Sequence, residues 1–204
     1  MTIRIGWRVS AALATPLLLV EPALAHHAMG NRTPATFFEG FLSGLAHPVI
    51  GIDHFAVMIA VGLVVAACGL NLLLPVAFVL ASALGVALHV QGFGLPAAEL
   101  AVAASVVLLG LLVARGTALA PYGWAALLVV AGLLHGYAYG ESIAGAEPAP
   151  FWAYLFGLVA VQSAIVLAVG FIAHRPGMPV MAARIAGATI AAVGLAVMVQ
   201  QMLS

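Results

Sequence analysis

From residue 48 to the end of the chain, the sequence is a succession of apolar segments, each close to the thickness of a bilayer's hydrocarbon core. They fall at 48–68, 72–91, 96–114, 121–140, 151–173 and 181–203, near the ~20 residues a helix needs to cross. Gly, Pro or Asn marks the breaks: Gly69 to Asn71, Gly92 to Gly94, Gly116, Pro148 with Pro150, and Pro176 with Pro179. The connections are short, so neighbouring segments run antiparallel. Of the 204 residues, 65% are hydrophobic and 6% are charged, whereas a soluble domain is roughly half apolar. No single small core can hide that much apolar surface. The sequence therefore predicts an all-α fold, a polytopic membrane helix bundle of about six transmembrane helices after a cleavable signal peptide.

The N-terminus has the order of a secretory signal. Arg4 and Arg8 form a basic start, and Ala11 to Val20 supply an apolar run too short to span. Glu21-Pro22 breaks that run, and Ala23-Leu24-Ala25 is a small-x-small cleavage site. The predicted organisation is a signal peptide at 1–25, a periplasmic N-terminal segment at 26–47 and a six-helix transmembrane domain at 48–204. An uncleaved signal anchor is the alternative for the first segment. Cleavage would place a free amine beside His26 and His27, and an amine with imidazoles can capture a divalent transition metal. Residues 37–46, FFEGFLSGLA, read as a short amphipathic lead-in helix.

Arginine placement orients the bundle. With the mature N-terminus in the periplasm, Arg115, Arg175 and Arg184 face the cytoplasm and only Arg32 faces out, as the positive-inside rule asks. This predicts a multi-pass protein of the bacterial inner membrane. Tyr122 with Trp124, and Trp152 with Tyr154, stand at span ends and read as interface anchors. Six Arg balance six carboxylates, so there is no basic patch for nucleic acid. The lone Cys68 rules out a disulfide framework or a zinc ribbon and reads as a small buried hydrophobe. No Walker motif is present, so this chain offers no ATP site.

With that orientation, ionisable groups from four spans share the outer depth. The first span carries His47, Asp53 and His54, and the second ends with His89. The third begins with Glu99, and the fourth carries His135 and Tyr139 and ends at Glu141. Such groups are rare inside membranes and mark ion or substrate paths. His47 and His54 are nearly two helical turns apart and so share a face on a continuous helix, with Gly51 between them leaving room for an ion. Asp53 points about 120° away, toward another helix or a histidine N–H. Pro48 suits a first helical turn. Imidazole with carboxylate suits divalent first-row metals. Gly132, Gly136 and Gly140 form a small-residue stripe that lets another helix approach closely and brings its polar groups within reach of His135. In the inner half, only Ser105, Cys68, Gln162 and Ser163 offer polar atoms. Gln162 is a candidate path residue, with an interhelical hydrogen bond as its alternative role.

HPVIGIDH at 47–54 resembles the HPxxGxDH signature of the HupE/UreJ family of membrane nickel and cobalt permeases. LHGYAYGES at 134–142 resembles that family's second signature, HGxAHGxE, and AELAVAASVVLLGLL at 98–112 is similar to its third span. The resemblance covers nearly the whole chain. It implies uptake of Ni²⁺ or Co²⁺ from periplasm to cytoplasm, supplying metalloenzyme or cobalamin synthesis, with no organic cofactor and no enzymatic step. The metal-interacting residues it implies are His47, Asp53, His54 and His135, and also Glu99. His26, His27, His89, Tyr139 and Glu141 remain further candidates. Two positions depart from the pattern. Tyr139 stands where the second His is expected, and the acid comes one residue early, at Glu141, leaving Ser142 in its place. The alternative classes are an intramembrane metal-dependent hydrolase, which lacks an HExxH-like base, and a metal-sensing accessory protein, which lacks a soluble domain. The expected partners are the lipid bilayer and the metal ion.

Overall fold

The computed structural model describes residues 32–203. The expected signal peptide at 1–25 and the candidates His26 and His27 lie outside the described residues. Seven α-helices follow one another: α1 (Phe37–Ile50), α2 (Ile52–Ala67), α3 (Leu73–Val90), α4 (Ala98–Arg115), α5 (Pro121–Gly140), α6 (Pro148–Ala173) and α7 (Val180–Leu203). A single 3₁₀ turn, Glu141–Ile143, extends α5. No strand occurs among the described residues. Helices α3, α4, α5 with its 3₁₀ turn, α6 and α7 are each long and apolar enough to cross a membrane. Taken together, α1 and α2 pass the same test but bend by 78° at their junction. Among the described residues this makes a multi-pass membrane bundle of five continuous candidate spans and one bent pair.

The break corrects the expected first span. The lead-in helix does not stop at residue 46 but continues through His47 and Pro48 to Ile50. Pro48 therefore lies in the last turn of α1, where its missing N–H removes a bond to the preceding turn, and not in the first turn of a span. Gly51 then turns extended (φ −72°, ψ 115°), closing α1 and opening α2. A Cβ at Gly51 would lie 2.7 Å from the His54 ring and 3.2 Å from Asp53 Oδ1. The space expected there for an ion is filled by His54 itself. At its other end α1 is held by a capping box: Thr36 Oγ1 accepts the Glu39 N–H at 3.2 Å, and Glu39 Oε2 accepts the Thr36 N–H at 3.1 Å. Such a cap contributes about 1 kcal/mol.

Helix α2 runs through the middle, packed mainly against α6, α4 and α7. Its Val57, Met58, Val61 and Val65 form one core with Phe78, Leu109, Leu128 and Val166. Around it stand three tight pairs of helices, α3 with α5, α4 with α7, and α1 with α6. Glycines set each pair's spacing. A Cβ at Gly136 would lie 2.7 Å from Ser82 Cα, one at Gly110 would lie 2.8 Å from Ala191 Cα, and one at Gly44 would lie 2.9 Å from Leu158 N. Hydrocarbon supplies little drive for helix association, so close backbone packing of this kind holds the pairs together. The Gly132, Gly136 and Gly140 stripe does face a neighbouring helix, α3.

The expected interface aromatics divide. Tyr122 and Trp152 are exposed, as anchors are, whereas Trp124 is 3% and Tyr154 0% exposed. Trp124 faces inward to the core around α2, and Tyr154 reaches into the polar site. Cys68 is only partly buried, at the end of α2.

Candidate metal centre

The bend at Gly51 places His47 and His54 on two helices yet keeps their rings together, with centroids 5.6 Å apart. Asp53 occupies the first turn of α2, where backbone N–H groups lack helical partners and the helix dipole favours a negative charge. Its Oδ1 accepts the His54 N–H at 2.9 Å and lies 3.8 Å from His54 Nδ1. From α5, His135 and Tyr139 close on the same rings: His54 to His135 is 5.1 Å, His54 to Tyr139 4.4 Å and His47 to Tyr139 5.1 Å between centroids. His47, Asp53, His54, His135 and Tyr139 are all buried, none more than 4% exposed.

Hydrogen-bond accounting assigns the tautomers. A neutral imidazole has one N–H and one lone pair. Ser105 on α4 gives its proton to the Val102 carbonyl (2.7 Å), so its oxygen accepts from His135 Nε2–H (3.1 Å). His135 Nδ1 then carries the lone pair. His54 Nδ1, 3.0 Å away, donates to it. Tyr154 gives its only proton to the Tyr139 carbonyl (2.9 Å), so its oxygen accepts from His47 Nδ1–H, also at 2.9 Å. Ser142 Oγ stands 2.9 Å from the same nitrogen. Deleting one partner of such a buried bond costs about 1–3 kcal/mol.

The 3.0 Å separation of His54 Nδ1 and His135 Nδ1 matters chemically. Two nitrogens held ~2.0–2.1 Å from one metal are ~2.9 Å apart when they subtend a right angle, and ~3.4 Å apart in a tetrahedron. With the His54 proton moved from Nδ1 to Nε2, so that both nitrogens offer lone pairs, the pair would have the bite of adjacent ligands on an octahedral or square-planar ion. No three His, Cys, Asp or Glu side chains form a closed metal cage among the described residues. An ion seated at the pair would keep water in its other positions.

The remaining candidates stand apart. Glu99 is exposed in the first turn of α4, and Glu141 is exposed on the 3₁₀ turn. His89 is half-buried at the end of α3, its ring 4.6 Å from Tyr137, and its Nδ1 has no protein partner. Short connections put all three at the same end of the bundle as the histidines. Gln162 lies deeper, midway along α6, and donates from Nε2 to Ser82 Oγ at 3.1 Å. Three residues of the site escaped the sequence reading. Ser142 had been noted only as a departure, Ser105 only as an isolated polar atom and Tyr154 only as an anchor. A hydroxyl at a helix end in so apolar a chain was the available signal.

The stretches 47–54 and 135–142 thus meet through two hydrogen-bond contacts, His54 with His135 and His47 with Ser142, and through the Tyr139 ring against both histidines of the first stretch. The profile described as HupE / UreJ protein matches residues 13–197. The chain belongs to the HupE/UreJ family. It is similar to Protein HupE of Rhizobium leguminosarum bv. viciae, with 34% identity over 197 residues, covering 94% of this chain and 99% of that protein. No solved structure matches it. Within this HupE/UreJ chain the matched region contains every described helix up to the last turns of α7, the polar cluster included.

Proposed function

We propose that this chain is an inner-membrane permease that carries Ni²⁺ or Co²⁺ from the periplasm to the cytoplasm, toward metalloenzyme or cobalamin assembly. The observation that carries the reading is the buried His54–His135 pair, with its nitrogens 3.0 Å apart. Imidazole nitrogens suit borderline first-row ions, and membership of the HupE/UreJ family supports nickel or cobalt among them. In this reading His54 and His135 take the ion directly. His47 borders the pair, and Asp53 supplies the charge that offsets the cation. Glu99, Glu141 and His89, at the same end, attract cations before entry, and His26 and His27 capture them first. In this reading the opposite end, which carries Arg115, Arg175 and Arg184, is the cytoplasmic one, as the positive-inside rule favours. A transport site must bind well enough to load and weakly enough to release, and two protein nitrogens with retained water meet that condition.

Metal accumulation in cells expressing the wild type or His54→Ala, offered Ni, Co, Zn and Mn in turn, tests the reading. The expected result is Ni or Co accumulation in the wild type that is lost in the variant. Equal accumulation by both for every metal would overturn it.

A further inference from the structure

A second polar group lies beyond Tyr139, and the histidines make no use of it. Gln162 is midway along α6 and Ser82 midway along α3, joined by the Nε2–Oγ hydrogen bond at 3.1 Å. Tyr139 reaches in from α5. Helical side chains slant toward the N-terminus, so its hydroxyl comes down to this depth and lies against Gln162 without closing a hydrogen bond. All three side chains are 0% exposed. The Tyr139 hydroxyl and Gln162 Oε1 have no partner among the described residues.

Packing alone does not account for these residue types. An unsatisfied buried polar atom is destabilising, and Phe and Leu of similar shape would remove both penalties. Three helices nevertheless send neutral oxygens to one point in an otherwise apolar layer. A cation explains the choice. Hydroxyl and amide oxygens can replace part of a hydration shell without holding the ion as tightly as imidazole does. Tyr139 links the two places, since its ring lies 4.4 Å from that of His54 and its hydroxyl is at Gln162.

We propose that Tyr139, Gln162 and Ser82 form a second, oxygen-only station at mid-depth, which receives the partly hydrated divalent ion from the histidine pair. The inference rests on the permease reading and extends it inward. Weak neutral ligands after strong ones give the ion a way forward that does not trap it.

Gln162→Leu and Tyr139→Phe test this, with two measurements on purified protein: equilibrium Ni²⁺ binding in detergent and Ni²⁺ uptake into liposomes. Gln162→Leu is expected to bind Ni²⁺ within about twofold of the wild type and to take it up about tenfold more slowly, and Tyr139→Phe is expected to slow uptake by a similar factor. Wild-type uptake rates in the folded variants would overturn the proposal. So would parallel loss of binding and uptake, which would make these residues supports of the histidine pair. If Gln162→Leu does not fold, Tyr139→Phe carries the test alone, since it removes one oxygen that holds no partner. A wild type that takes up neither Ni²⁺ nor Co²⁺ is a separate outcome and counts against the permease reading itself.

Discussion

The two ends of α2 are built in opposite ways. Its first turn is enclosed by rings and hydrogen bonds from α1, α4, α5 and α6, with its polar side chains buried. Its last turn opens on a largely apolar cavity of about 440 Å³, lined by Leu63, Cys68, Leu112, Thr117 and Arg184 among others. There His174, just past the end of α6, donates from Nδ1–H to the Ala66 carbonyl at 3.2 Å. One end holds imidazole nitrogens oriented by hydrogen bonds, and the other offers mostly apolar walls. In the permease reading, selectivity sits at the first turn and release at the last.

The largest effect on that contrast comes from breaking the enclosure. Gly136→Leu drives a side chain into the backbone of α3 at Ser82, which cannot yield as a flexible side chain can. A loss of at least about 3 kcal/mol is expected, read as a collapse of the melting transition in detergent. Cys68→Ser, at the open end, is expected to change stability by no more than about 0.5 kcal/mol.

Ser105→Ala comes next. It leaves the His135 ring in place but removes the acceptor that fixes its tautomer. Metal affinity by titration calorimetry is expected to fall about tenfold, with Ser105→Thr restoring most of it. Tyr139→His adds a fourth imidazole to His47, His54 and His135 and is expected to shift the Ni/Co uptake ratio several-fold. An unchanged ratio would show that the position does not meet the ion. The smallest effect is diagnostic of orientation. Cys68, the only cysteine, is expected to react with a membrane-impermeant maleimide from the cytoplasmic face and not from the periplasmic one.

The same contrast explains what the sequence reveals and what it hides. Depth was legible. Span lengths and short connections put His47, His54, His89, Glu99, His135 and Glu141 at one end, and the structure has them there. Direction around each helix was not legible. A helix apolar on all sides has no amphipathic stripe to say which face turns inward. Apolarity alone therefore could not tell which way His135 and Glu141 face, yet one is buried and the other exposed. Trp124 and Tyr154 were misread as anchors for the same reason. The break at Gly51 was hidden because seven-residue spacing and Pro48 both fit a continuous helix, and the pivot shows only in the extended Gly51 backbone and the 78° bend. The glycine stripe on α5 was legible because close packing demands small residues whatever lies opposite.

The most direct measurement is Ni²⁺ influx into liposomes that contain the purified protein and a trapped metal-sensitive dye, with His135→Ala alongside. The predicted result is time-dependent Ni²⁺ entry with the wild type and entry at the protein-free rate with the folded variant. Influx through His135→Ala at the wild-type rate, or no influx of Ni²⁺ or Co²⁺ through the wild type, would contradict it.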